Sequence, residues 1–280
     1  MSSFSYAVPC GSWQFEQLST TGGCCQRKGP RFSAWQEKHV SFTELAISIF
    51  SLGEPCGLWQ LVHSIFRSPT GIWTRYDPQE YATIEAFRSD PVKIWDFYAL
   101  RFRALTEAEP NAGHLALARL EHAGHVRAVV TQNIDMLHER AGSRDVVEVH
   151  GSIRTSSCPR CGASYGLGEV LQLLERASAP ECPECGQILK PDVVFFGELL
   201  PEAAIDRAYE LARSTRLLLV VGSGLEVWPV SQLPEETQRK GGAVAIVNRG
   251  PTSFDDRAVV KIEGGAGETL AALVERLAGD

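Results

Sequence analysis

The sequence predicts an α/β fold: a parallel sheet with helices on both faces and a small zinc-bearing module inserted in it. Three observations carry that prediction. From Pro110 onward, short continuous apolar runs alternate with helical patterns, which is how strands buried on both faces read. Polar clusters follow those runs directly, at Thr131-Gln132-Asn133-Ile134-Asp135, His150-Gly151, Gly222-Ser223-Gly224 and Asn248. Sheets of this kind bind ligands there, at the carboxyl ends of their strands. Two C-x-x-C pairs then interrupt the alternation.

Taken in order, Asn111 caps a helix that carries Leu115, Leu117 and Leu120 and stops at Gly124; Asn is a favoured N-cap and Gly a common terminator. Residues 126–130 and 146–149 read as buried strands. The cysteine segment follows, and after it a helix near 201–213, the strand LLLVV at 217–221 and a helix near 229–240. The strand AVAIV at 243–247, a short strand at 258–262 and a final helix at 268–277 close the series. Residues 1–64 read differently. They hold three of the six tryptophans and four of the eight cysteines, carry no net charge and show poor periodicity, so an irregular segment is expected.

The inserted module is defined by CPRC, with Cys158 and Cys161, and CPEC, with Cys182 and Cys185, twenty residues apart. Each C-x-x-C offers two thiolates from one tight turn to half of a tetrahedron. Gly162 and Gly186 follow the pairs, where a residue free to take positive φ helps the turn close. Four thiolates with no open position imply a structural Zn2+; redox dithiols or disulfides are the alternative, and a reducing compartment weighs against them. Cys10, Cys24, Cys25 and Cys56 have no such pattern.

Composition excludes some classes. A net charge of −7, from 27 basic and 34 acidic residues, argues against nucleic acid as a direct partner, because phosphate-backbone binding rests on many Lys and Arg contacts. No run of about 20 apolar residues is present, so no membrane span is expected. The N-terminus lacks a basic region followed by an apolar block, which makes the cytoplasm the expected compartment.

The ordered set TQNID, VHGS, the paired knuckles, KPDVVFFGE, GSGLEVWP and VN followed by PT resembles the sirtuin family of NAD-dependent protein-lysine deacylases, from about Phe66 to the C-terminus. The resemblance implies a Rossmann-like NAD-binding domain over 65–150 and 191–280 with a helical module at about 72–109. A zinc-binding domain over 151–190 is inserted in it. It also implies the substrate, an acylated-lysine protein or peptide. The acyl oxygen attacks the ribose carbon of NAD and gives an alkylimidate; nicotinamide leaves and the acyl group ends on ADP-ribose. His150 matches the base of that reaction, a role that suits an imidazole neutral near pH 7; taken alone, a histidine is more often structural. Phe66, Arg67, Gln132, Asn133, Asp135, Gly222, Ser223, Gly224, Asn248 and Ala266 match cofactor-binding positions. QNID read without the family is a polar turn capping the next helix. Gly222-Ser223-Gly224 departs from the usual Gly-Thr/Ser-Ser and loses one hydroxyl donor. Val193, Val194 and Phe195 match the strand that an acyl-lysine peptide augments; by themselves they are an ordinary buried strand. His114, in PNAGH, reads as a packing residue.

Tyr98 and Arg101 form Y-x-x-R, twelve residues before PNAGH. At helical spacing they share one face, so phenol and guanidinium can both meet a carboxylate. This resembles the subgroup that removes succinyl and malonyl groups; the plain alternative is an amphipathic helix with an exposed Arg.

One stretch departs from the family. Phe66-Arg67-Ser68-Pro69-Thr70-Gly71-Ile72-Trp73 matches, but SLGEPCGLWQLVHSI precedes it in place of a Gly-Ala-Gly phosphate loop, and Ile65 stands where an Asp belongs. A change of reading frame accounts for this: read two nucleotides on, the codons for 57–66 permit Ser-x-Ala-Thr-Gly-x-x-Asp-Phe. Genomic sequence across the stretch decides it. The departure keeps two further readings open, an acyl-peptide-binding protein with impaired turnover and a protein ADP-ribosyltransferase.

Overall fold

The computed structural model describes the backbone of residues 48–50 and, with side chains, residues 76–277. Phe66, Arg67, the rest of the departing loop and the proposed change of frame lie outside the described residues. Six strands form one parallel sheet: β1 (Ser48–Phe50), β2 (Val129–Thr131), β3 (Val146–Glu148), β7 (Leu217–Val221), β8 (Ala243–Asn248) and β9 (Val260–Glu263), in the order β3-β2-β1-β7-β8-β9. The direction of winding reverses between β1 and β7, and the carboxyl ends of strands flanking such a reversal form the binding crevice of a Rossmann-like fold.

The period-two alternation of the strands divides the interior into two cores. Val130, Leu218, Val220, Val244 and Ile246 face Ala208, Leu211 and Ala212 of the helix Glu202–Ser214 and Leu233 of the helix Leu233–Arg239. Val129, Leu219, Val221 and Val247 face the opposite way, against Leu117 and Leu120 of the helix Ala112–His122 and Leu270 of the helix Ala266–Leu277. Asn111 caps the helix Ala112–His122 as its sequence predicts, and His114 completes a capping box by accepting the Asn111 amide.

Three expectations are corrected. The segment up to residue 64 is not irregular throughout, because Ser48, Ile49 and Phe50 pair with Val129, Val130 and Thr131 on one side and with Leu219, Val220 and Val221 on the other. Two parallel strands with an open slot between them would leave a row of backbone N–H and C=O groups unpaired, and this short run fills the slot. The predicted helix near 229–240 is a 3-10 turn, Val230–Gln232, followed by a helix that starts at Leu233, with Pro234 tolerated in its first turn. The last helix opens at Ala266, two residues before the expected start.

The inserted module is a three-stranded antiparallel sheet of β4 (Gly151–Ser157), β5 (Ser164–Gly166) and β6 (Lys190–Val193), in the order β5-β4-β6, with a helix at Leu167–Leu174. Its core is not separate. Ile153, Cys158, Val170, Cys182 and Leu189 share one cluster with Trp95, Phe102 and Leu105 of the long helix Pro91–Glu107. The helical module, expected to belong with the nucleotide-binding domain, therefore packs against the cysteine module. Trp95 is fully buried and donates its Nε1–H to the Leu189 carbonyl at 2.7 Å.

That hydrogen bond yields a prediction. Trp95→Phe keeps an aromatic ring in the core but strands a buried carbonyl, at a cost of about 1–3 kcal/mol of unfolding free energy. Urea denaturation measures it; an unchanged midpoint would show that the bond contributes nothing.

Candidate active site and metal centre

The polar turn after β2 is built by its own side chains. Thr131 Oγ1 accepts the Asn133 amide at 3.0 Å, and Asp135 Oδ1 accepts the Leu137 amide, the first of the short helix Leu137–Arg140, at 2.9 Å. The N-cap position itself is Met136, in a left-handed conformation and without a side-chain cap, so Asp135 serves the helix from one residue further out. Asn133 Nδ2 is buried and has no hydrogen-bond partner among the described residues, and a buried donor in that condition fits a ligand that brings an acceptor. Behind the turn, His138 packs its ring 4.7 Å from that of His114. Burial holds the His138 imidazole down to about 4, with Asp135 opposing the shift, so it is a neutral packing group at pH 7.

His150 stands two residues beyond β3. Its Nδ1 lies 3.2 Å from the Gln132 carbonyl, and a carbonyl only accepts, so the neutral ring carries its proton on Nδ1 and presents Nε2 as a base. The backbone around it admits no slack. Its carbonyl accepts the Val194 amide at 2.9 Å, and the next residue, Gly151, has φ +72° with its missing Cβ directed at the Asp192 carbonyl, only 2.1 Å away. Only glycine fits there.

The residues expected to hold the adenosine half of the cofactor line the neighbouring strand ends. Gly222, at φ +61°, donates to the Val247 carbonyl at 2.8 Å. Ser223 Oγ accepts the Leu225 amide at 3.2 Å, which holds Leu225 at a left-handed φ of 56°. Gln132 Nε2 reaches Ser223 Oγ at 3.4 Å, joining the turn after β2 to the turn after β7. Asn248 ends β8 and donates to the Arg249 and Gly250 carbonyls, and its own carbonyl faces the Gly264 amide at 3.4 Å, two residues before Ala266. Gln132, Asn133, Asp135, His150, Gly222, Ser223, Gly224, Asn248 and Ala266 therefore lie along one end of one parallel sheet. The buried Asn133 amide and the glycine-lined turn at 222–224 suit NAD.

The segment after β6 is stapled by its own ends. Lys190 pairs with Glu198 at 2.9 Å, and Glu198 Oε2 also accepts the Phe195 amide at 2.8 Å. Of the three residues expected to pair with a peptide, Val193 lies in β6, while Val194 and Phe195 lie just beyond it. The amides of Val194, Phe195 and Phe196 are all spent within the chain, on His150 O, Glu198 Oε2 and Ala82 O. A peptide strand added here would have to use carbonyls or the Gly197–Leu199 turn, where Leu199 is 94% exposed. Phe195 packs at 5.7 Å from the ring of Tyr98.

Tyr98 is buried, and burial raises its phenol above the usual range, with Arg101 opposing. Arg101 is half-buried rather than exposed. Its Nη1 donates to the Phe97 carbonyl, its Cζ lies 3.5 Å from the Phe97 ring centroid, and its Nε has no hydrogen-bond partner among the described residues. Burial lowers its pKa from the ordinary arginine value, opposed by Tyr76 and Tyr98. Among the described residues no carboxylate forms an ion pair with it.

In the cysteine module the two knuckles close alike. Gly162 and Gly186 take φ +76° and +72° and donate to Cys158 O and Cys182 O at 3.0 and 2.9 Å. Sγ–Sγ separations of 3.5 Å (Cys158–Cys185), 3.6 Å (Cys161–Cys182) and 3.7 Å (Cys161–Cys185) match the edge of about 3.8 Å of a tetrahedron with Zn–S bonds of about 2.3 Å. All four sulfurs lie within 4.8 Å of one another. These separations are far longer than a disulfide bond of about 2.05 Å. The set fits a zinc ion.

A family model described as the Sir2 family matches residues 63–229. The chain belongs to the Sir2 family. A Pyrobaculum aerophilum relative named NAD-dependent protein deacylase 2 is 45% identical over 212 residues, 76% of this chain and 84% of the relative. The Thermococcus sibiricus NAD-dependent protein deacylase is 39% identical over 253 residues, covering 89% and 95%. A solved structure described as Sir2 bound to acetylated peptide superposes with a TM-score of 0.74 at 34% identity, over 84% of this chain and 93% of its own. The family-model match begins at residue 63, close to the Phe66 expected from the motifs, whereas the 253-residue alignment with the Thermococcus sibiricus relative is longer than 63–280 and so reaches further toward the N-terminus.

Sequence reading of this Sir2-family chain did not single out Tyr76, His138 or the Lys190–Glu198 staple, which pack beside the predicted site residues. The staple had a signal, since KPD and GE bracket VVFF; Tyr76 and His138 had none that spacing reveals. The metal centre gives a direct test. Freshly purified, reduced protein should carry one zinc per chain by elemental analysis, and Cys158→Ala should lose it and melt the module, because three thiolates leave an open position. Full-length folded protein without zinc would refute this.

Proposed function

We propose that the chain is an NAD-dependent protein-lysine deacylase that transfers the acyl group to ADP-ribose and releases nicotinamide. The observation that carries this reading is the His150–Gln132 contact. It fixes the imidazole tautomer within the same turn that presents Asn133 and Asp135, so base and cofactor residues are set by one piece of backbone. The relatives' names, and solved Sir2 structures described with acetylated and propionylated peptides, support the substrate class.

In this reading NAD, when bound, supplies an ADP-ribosyl electrophile with nicotinamide as leaving group. The chain does the rest. Gln132, Asn133 and Asp135 orient the nicotinamide ribose and stabilise positive charge at its anomeric carbon. His150 Nε2 takes a proton from a ribose hydroxyl. Gly222, Ser223, Gly224, Asn248 and Ala266 hold the adenosine half. Val193, Val194 and Phe195 wall the acyl-lysine channel, and the four cysteines hold a structural zinc. The division into a nucleotide-binding part (65–150 and 191–280) and a zinc part (151–190) follows the same assignment, with the helices at 78–107 counted with the zinc side. No helix among the described residues is long and apolar enough to cross a membrane. The unbridged thiolate cluster favours a reducing compartment, the cytoplasm.

Acyl choice rests on Tyr98 and Arg101. A half-buried guanidinium with no carboxylate paired to it among the described residues suits an acyl group that carries one, as succinyl and malonyl do.

Two outcomes follow. His150→Ala should abolish transfer of the acyl group from the peptide to ADP-ribose and leave circular dichroism unchanged; deacylation within about tenfold of the parent contradicts the base assignment. Peptide binding without turnover in the parent chain would instead mark an acyl-peptide-binding protein, and nicotinamide release without acyl-peptide an ADP-ribosyltransferase. Arg101→Met should lower succinyl-lysine efficiency by about 10- to 100-fold, the equivalent of one charge-assisted contact, with little change on acetyl-lysine. Equal losses would make Arg101 a helix-supporting residue.

A further inference from the structure

We propose that Tyr76 is a positioning residue for acyl selection: its ring forms the outer wall of an aromatic seat that holds the Arg101 guanidinium toward the acyl carboxylate. The inference rests on the acidic-acyl reading of Tyr98 and Arg101. Its observations are separate.

Three rings make the seat. Tyr76, Tyr81 and Phe97 touch in all three pairs, with centroids 5.2, 5.2 and 4.8 Å apart. Tyr76 meets the other two near edge-on, at 86° and 70°. The Arg101 Cζ lies 3.5 Å from the Phe97 centroid and 5.7 Å from the Tyr76 centroid, both within cation–π range. Phe97 is the floor, one helical turn before Arg101 on the same helix. Tyr76 comes from outside that helix, before the short helix Pro78–Tyr81, so its contact restricts where the guanidinium can swing.

The charge balance explains why such a seat is needed. Arg101 is half-buried without a carboxylate partner among the described residues, and one of its donors is spent on the Phe97 carbonyl. Removing a cation from water without an anion is unfavourable. Ring faces offset part of that while leaving the planar N–H edge open, which an acidic side chain in the same place would not. A carboxylate partner would also compete with the substrate's own carboxylate. Aromatic faces therefore suit an arginine kept ready for an arriving anion. Lys93, which covers the Tyr81 face at 4.4 Å, is different: its charge is already paired with Glu80 at 3.0 Å.

The test is equilibrium binding of fluorescent succinyl-lysine and acetyl-lysine peptides to the full chain, without NAD, read by anisotropy. Tyr76→Ala should weaken the succinyl peptide by about fivefold, the size of one partly buried cation–π contact, and move the acetyl peptide by less than about twofold. Tyr76→Phe keeps the ring face and should restore parent affinity. In the Arg101→Met background, Tyr76→Ala should cost nothing further. If Tyr76→Ala does not fold, Tyr76→Leu, which keeps apolar bulk without a ring face, takes its place with the same expected result. Equal weakening of both peptides, no rescue by Phe, or intact succinyl binding in Tyr76→Ala while Arg101→Met loses it overturns the role of Tyr76 and leaves the acyl clamp standing. If Arg101→Met does not discriminate between the peptides, the clamp reading falls and this inference with it.

Discussion

The close approach of Gly151 to the Asp192 carbonyl is the constraint on which the rest of this site depends. Here the chain leaves the parallel sheet at β3 and enters the antiparallel sheet of the cysteine module at β4. A Cβ at this point would stand 2.1 Å from a backbone oxygen, so the two sheets meet without a side chain between them. The residue just before it is His150. Its carbonyl is held by Val194 and its ring by the Gln132 carbonyl, so the imidazole proposed as the base takes its position from the junction rather than from a rotamer choice of its own. A general base must sit within hydrogen-bond reach of its proton. The junction supplies that precision.

The cysteine module contributes from a distance. On its own it has a short three-stranded sheet and one helix of eight residues, less apolar surface than an independent domain needs. Two things compensate. Four thiolates form a tetrahedral set, and metal binding there is folding free energy for the module. The module also shares its core with the long helix Pro91–Glu107 through Trp95, Phe102 and Leu105. The same helix carries Tyr98 and Arg101, and β6 of the module leads into Phe195, which packs on Tyr98. The thiolate cluster, the helix and the segment proposed as the acyl wall therefore share one core, beside the sheet whose strand ends carry the proposed cofactor residues.

Electrostatically the two proposed halves of the site differ. The strand ends proposed for the cofactor carry neutral groups, Gln132, Asn133, Ser223 and Asn248, around one buried carboxylate, Asp135. The region proposed for the acyl group instead holds a guanidinium against aromatic faces. Neutral amides fix ribose hydroxyls without repelling a phosphate-bearing ligand, whereas a cation answers an acidic acyl end.

Much of this was legible in the residue order. Runs of about five apolar, β-branched-rich residues between helical patterns read as strands covered on both faces, so the parallel sheet followed from LLLVV, AVAIV and their neighbours, and the strand-end clusters followed from the sheet. The C-x-x-C spacing announced the thiolate set because knuckle geometry is local. What needed tertiary structure was long-range. That Ser48–Phe50 fills the centre of the sheet depends on strands 80 and 170 residues away, as roughly counted from the pairing with β2 and β7. That Arg101 is half-buried and lies over the Phe97 ring with Tyr76 beside it, not exposed, came only from the fold, since no helical period connects Tyr76 to it. The amides of Val194, Phe195 and Phe196 look free in a strand-like sequence, yet His150, Glu198 and Ala82 use them all. Local pattern determined the elements and the types of chemistry available in them. Only three-dimensional packing decided which donors were left for a ligand, because a hydrogen bond is spent by whichever partner the fold brings near.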